Sequence, residues 1–85
     1  METPITEKPA VAALLQDVDL EIARAFGLFP PMNSPHEAYA TILEELDEFW
    51  DEVKVQDKLH NPKAMKKELI QTAAMCVRAI YDLNL

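Results

Sequence analysis

The chain has 85 residues, enough for one small domain. A domain of this size buries only about 60% of the surface its unfolded form exposes, so self-association is an expected supplement. With 49% hydrophobic residues, one Gly and no alternating runs of β-branched residues, composition points to an all-α protein; 15 acidic against 8 basic side chains give a net charge of −7, which repels a nucleic-acid backbone and disfavours such a partner.

Residues 1–9 contain two prolines and little periodicity and read as an extended N-terminal arm, followed by a single helical domain over 10–85. The first predicted helix runs from Ala10 to Phe26, where Val11, Leu14, Leu15, Val18, Ile22, Ala25 and Phe26 recur at helical spacing. Gly27 supplies its expected stop, and Pro30-Pro31 prevents continuation.

Ser34, Pro35 and Glu37 form the strongest start signal: a capping residue, a proline at the first helical position and a glutamate three after the cap. The second helix is expected over Pro35 to about Lys58. Tyr39, Ile42, Leu43, Leu46, Phe49, Trp50 and Val53 fall within an arc of about 120° and form its expected core stripe, with Trp50 read as core rather than as a base-stacking platform. Asn61-Pro62 repeats the cap-then-proline signal and opens the third helix, which continues to about Leu83. The stretch from Leu69 to Val77 is apolar nearly all round, and Ala73 and Ala74 permit close backbone approach. The expected architecture is a three-helix protomer that completes a four-helix-bundle-like core by oligomerisation.

The single Cys76 excludes an internal disulfide framework and its apolar flanks read as packed helix, which fits a reducing cytoplasm. The longest uninterrupted apolar stretch, Ala10 to Leu15, is far short of the roughly 20 residues that span a bilayer, so no membrane is expected. The first residues lack the basic, apolar, small-residue order of a secretory signal, so a soluble, untargeted protein is expected. His36 and His60 stand near helix ends and read as capping or exposed residues, with no zinc-ligand spacing; there is no Gly-rich phosphate loop.

The acidic residues carry the functional information. On the wheel of the second helix Glu45, Glu48 and Glu52 occupy an arc of about 60°, while Glu44 and Asp47 turn progressively away. Carboxylates converging in this way are commonly reconciled by a divalent cation, and Mg²⁺ uses a few carboxylates while keeping positions open for water and phosphate oxygens. A plain solvated acidic face is the competing reading of the same spacing.

Glu44-Glu45-Leu46-Asp47-Glu48, then nineteen intervening residues, then Glu68 resembles the E-E-x-x-E, spacer, E-x-x-D signature of the MazG-like all-α nucleoside triphosphate pyrophosphohydrolases, over about Ser34 to Leu83. The resemblance implies a hydrolase that cleaves a nucleoside triphosphate to monophosphate and pyrophosphate with Mg²⁺, and that assembles as a homodimer or homotetramer. By position it implies Glu45, Glu48 and Glu68 as metal ligands. Where the pattern ends in Asp this chain has Gln71, whose amide oxygen can ligate a hard cation without contributing charge. Glu44 or Glu52 is expected to orient the attacking water, and Lys54, Lys58, Lys63, Lys67 and Arg78 are the candidate polyphosphate contacts. Gln71 also motivates an alternative, a non-catalytic homologue that binds nucleotide or a protein.

Overall fold

The computed structural model describes residues 8–85. Three helices, α1 (Pro9–Leu28), α2 (Pro35–Val53) and α3 (Pro62–Asp82), are joined by an extended loop and by a short 3-10 turn at Asp57–Leu59; no strand occurs among the described residues. The all-α expectation is met. Most of the expected arm lies outside the described residues, and Pro9 belongs to α1 as its first residue. The carbonyl of Lys8 accepts from the amides of Val11 and Ala12, both at 3.0 Å.

Gly27 does not stop α1, which continues to Leu28. The terminator is Phe29, extended at φ −127° and ψ 141°, because the residue before a proline is pushed out of the helical region and Pro30 follows. At the start of α2, Ser34 Oγ accepts from the Glu37 amide at 3.1 Å. The Glu37 carboxylate reaches back to the amide of Asn33 at 3.0 Å, one residue earlier than a reciprocal capping box requires. α2 ends at Val53, short of the expected Lys58, and His60 covers the end: its Nε2–H donates to the Val53 carbonyl at 2.9 Å. Asn61 Oδ1 caps α3 by accepting from Lys63 and Ala64 at 3.1 and 3.2 Å. Past its C-terminus Asn84 takes φ 56°, and the bonds Leu85 N–H to Ile80 O and Asn84 N–H to Tyr81 O form a Schellman closure.

α3 is the central helix. Both α1 and α2 pack against it and scarcely against each other. α1 lies parallel to α3, with Asp17 beside Lys66 and Ala25 beside Arg78, whereas α2 runs antiparallel, with Glu45 beside Gln71 and Glu48 beside Glu68. The buried core is Ala25, Met32, Ala38, Ala74, Met75 and Ala79, flanked by Val18, Ile22, Ile42 and Leu83. Its alanines let the helix backbones approach closely and leave little apolar area to bury.

Arg78 fastens the α1–α2 connection onto α3. Its guanidinium donates to the carbonyls of Ala25, Phe29 and Pro30 at 2.9, 2.6 and 2.7 Å and to Asp82 Oδ2 at 3.1 Å, with the Phe26 ring 4.7 Å away. Asp82 Oδ2 also accepts from the Met32 amide at 2.9 Å. Both side chains are almost wholly buried, at 2% and 1% exposure. The charge pair thus satisfies the Phe29 and Pro30 carbonyls just past the end of α1 and adds a second donor to the Ala25 carbonyl, which already accepts from the Phe29 amide.

The expected core stripe of α2 divides in two. Ile42, Phe49 and Val53 turn inward, whereas Tyr39, Leu43, Leu46 and Trp50 remain 69, 38, 47 and 57% exposed. The core reading of Trp50 is corrected accordingly. The inward face is rotated toward the acidic flank, which is why Glu45 and Glu52 are partly buried. The outward four are spaced 4-3-4, the seam spacing of paired helices, and α3 repeats it with Leu69, Ala73, Cys76 and Ile80. In the antiparallel register set by Glu45 and Gln71, Tyr39 is level with Val77 and Trp50 with Lys66. By helical rotation both stripes lie on one side of the α2–α3 layer, and α1 covers the other.

Candidate metal centre

On the α1 side of that layer, one oxygen from each of Glu45, Glu48 and Glu68 lies within 4.8 Å of the others. One turn of α2 separates the first two, and α3 brings Glu68 opposite, so two antiparallel helices suffice to build the cluster. Glu45 and Glu68 are half-buried and Glu48 is exposed. Glu45 is pushed from 4.5 up to about 7 by desolvation first, then by the neighbouring charges of Glu48, Glu68, Glu44 and Glu21. Glu68 is raised too, by desolvation first and then by its hydrogen bond with Glu48 and the Glu48 charge, partly countered by Lys67.

Gln71 binds two of the three carboxylates. With its amide nitrogen facing them it donates to Glu45 Oε2 at 3.0 Å and to Glu68 Oε2 at 3.2 Å. It therefore acts here as a donor that relieves repulsion, in contrast to the ligand role expected of it; the same amide turned over offers its oxygen to a cation.

The donor set suits a hard divalent cation, being all oxygen and carrying up to three negative charges. The three oxygens would have to draw closer than 4.8 Å to share one Mg²⁺, whose oxygen ligands stand about 2 Å from the ion. The exposed Glu48 side chain is free to supply that movement.

Beside the cluster a cleft of about 360 Å³ opens between α1 and α2, lined on its polar side by Glu44, Glu45, Gln71 and Arg24 and on its apolar side by Phe29, Pro30, Met32 and Met75. Its volume lies within the range of small-molecule sites. Glu44, one of the two expected water-orienting residues, forms part of its wall; Glu52, the other, is half-buried and its charge acts on Glu68.

The candidate cations are dispersed differently from the expectation. The Lys67 charge acts on both the Glu21 and Glu68 carboxylates, adding to the lowering that Arg24 causes at Glu21 and partly offsetting the rise at Glu68. Lys54 is held by Asp51 at 2.8 Å, Lys58 lies on the 3-10 turn, and neither lines the cleft. Arg78 touches the cleft wall, but four of its hydrogen-bonding contacts are already within the protein, so its expected substrate role is replaced by a structural one. Arg24 was not foreseen because it arrives from α1. Its Nε bridges both oxygens of Glu21 at 3.1 and 3.0 Å while its charge reaches Glu45.

Compared with protein-family models, with curated proteins and with solved structures, the chain matches none.

Proposed function

We propose that this protein is a Mg²⁺-dependent nucleoside triphosphate pyrophosphohydrolase of the MazG-like type, cytoplasmic and acting as a homo-oligomer. The observation that carries the reading is the convergence of Glu45, Glu48 and Glu68 within 4.8 Å beside a cleft of nucleoside size. The resemblance of Glu44 to Glu48 and of Glu68 to the E-E-x-x-E and E-x-x-D pattern supports the same reading from sequence.

In this account Glu45, Glu48 and Glu68 hold the ion, and the apolar cleft wall of Phe29, Pro30, Met32 and Met75 receives the nucleoside. Bound Mg²⁺ supplies charge neutralisation on phosphate oxygens and a water of lowered pKa. Glu44, on the cleft wall, would orient an attacking water toward the α-phosphorus and accept its proton. The α-phosphorus gains the water oxygen, the bond to the bridging oxygen of the β-phosphate breaks, and pyrophosphate departs with that electron pair. Gln71 keeps Glu45 and Glu68 at ligand spacing between turnovers.

A second copy of the chain is the occupant proposed for the open side of the α2–α3 layer. Two such faces, each carrying a pair of 4-3-4 apolar stripes, are self-complementary and would stack into a four-helix core. Because α1 and the acidic cluster occupy the opposite side, association leaves the site open.

The test is release of pyrophosphate from canonical and modified nucleoside triphosphates with and without Mg²⁺. Metal-dependent turnover that Glu45→Gln abolishes supports the reading; absence of turnover for every nucleotide defeats it. The Gln71 amide, which satisfies Glu45 and Glu68 without a cation, favours one alternative, a non-catalytic homologue that binds nucleotide without cleaving it. Nucleotide binding without hydrolysis in the same assay identifies that case.

A further inference from the structure

A second concavity, of about 570 Å³, runs between α1 and α3 and collects four of the chain's eight Lys and Arg side chains: Arg24, Lys63, Lys66 and Lys67. In a protein of net charge −7 this is a local reversal of sign, since only Asp17 and Glu21 line the same walls. Those two acids are engaged, Asp17 with Lys66 at 3.4 Å and Glu21 with Arg24. Lys63 and Lys67 make no ion pair among the described residues. The parallel packing of α1 on α3 creates this arrangement by placing Asp17, Glu21 and Arg24, one per turn, along the Lys63–Lys67 turn and Gln71.

The groove is continuous with the cleft. Glu21, Arg24 and Gln71 line both, and Gln71 also touches Glu45 and Glu68. We propose that this α1–α3 groove is a diphosphate-binding site, which holds the β- and γ-phosphates of the substrate and then the pyrophosphate product. Lys63 and Lys67 are its primary contacts, and Arg24 swings from Glu21 to join them. The inference rests on the proposed hydrolase reading for its biological meaning, but the anion site stands on its own geometry. A nucleoside in the cleft then places its α-phosphate at the boundary marked by Gln71 and Glu45, with the leaving group directed away along the basic wall. The groove supplies specificity for a chain of phosphates: a monophosphate ends at that boundary and reaches none of the lysines.

The test is titration of the metal-free protein with inorganic pyrophosphate, with orthophosphate and a nucleoside monophosphate as comparisons, followed by amide chemical shifts. Pyrophosphate is expected to bind more tightly than either comparison, to weaken with rising salt, and to shift residues 63–71 and Arg24. Lys63→Gln with Lys67→Gln should weaken it about tenfold or more, a change of about 1.4 kcal/mol. Lys8→Gln, which removes one positive charge outside the groove, should not. Unchanged circular dichroism verifies that the double variant folds. Absence of pyrophosphate binding by the native chain, or equal binding by the double variant, overturns the proposal. Pyrophosphate binding in a protein that hydrolyses no nucleotide would leave the groove standing and defeat only the hydrolase reading.

Discussion

The Gln71 amide is one hydrogen bond from the Glu45 carboxylate, nitrogen to Oε2 at 3.0 Å, and a second such bond of 3.2 Å ties it to Glu68. It stands where a fourth carboxylate would add repulsion, and it donates two hydrogen bonds instead. The cluster is therefore tolerable without metal, at the cost of one negative charge available to attract it. Gln71→Asp should reverse that balance: lower stability of the metal-free protein by about 1 kcal/mol or more through lost donors and added repulsion, and higher Mg²⁺ affinity. Chemical denaturation and Mg²⁺ calorimetry on the two proteins measure both effects.

Proton binding by Glu45 gives the metal-free protein a pH signature. The folded pKa is raised from 4.5 to about 7, so the folded state holds a proton that the unfolded state has released. The associated stability is complete below the unfolded value and is lost as pH rises through about 7. Melting temperature without Mg²⁺ should fall across that window, and Glu45→Gln should flatten the decline. Mg²⁺ competes with the same proton, so its affinity should rise over the same interval.

The clasp formed by Arg78 should dominate stability. Arg78→Met leaves Asp82 as a buried charge without its partner and takes the guanidinium from the Phe29 and Pro30 carbonyls, while Ala25 keeps the Phe29 amide, a loss of about 3–5 kcal/mol. Arg78→Lys should recover little, because an ammonium cannot match the guanidinium fork. Urea unfolding midpoints measure the series, and a near-native Arg78→Lys would contradict the fork geometry.

Oligomerisation should depend on the exposed seam. Leu46→Glu places a charge in the middle of the stripe formed by Tyr39, Leu43, Leu46 and Trp50 and should yield monomers in sedimentation, while the native chain sediments as a dimer or larger. Trp50, 57% exposed in the protomer, reports the same event by a red shift of its emission on dissociation.

How much of this was legible in the sequence follows from the range of the interactions involved. Helix starts were readable because Ser34, Asn61 and the prolines after them act within three residues, and Ser34 and Asn61 do cap as their identity requires. The end of α1 lies past Gly27 because the effect of Pro30 on Phe29 outweighs a glycine that helices tolerate. The acidic cluster was legible because Glu45 and Glu48 are a helical turn apart and Glu68 follows on the next long helix. Arg78 was not, since its partners are carbonyls some fifty residues earlier, and a periodicity argument sees only a cation on a helix. Trp50 and Ile42 share one apolar arc, and only the placement of α3 decides which of them it covers. The basic groove needed α1 and α3 side by side before Arg24 joined the lysines.

Calorimetric titration of Mg²⁺ into the protein with a non-hydrolysable nucleoside triphosphate present tests the metal-centre account most directly, run beside Glu48→Gln and Glu68→Gln. The account predicts saturable binding in the native chain and its loss in both variants. Equal Mg²⁺ binding by native and variant proteins, or none by the native chain, would contradict it.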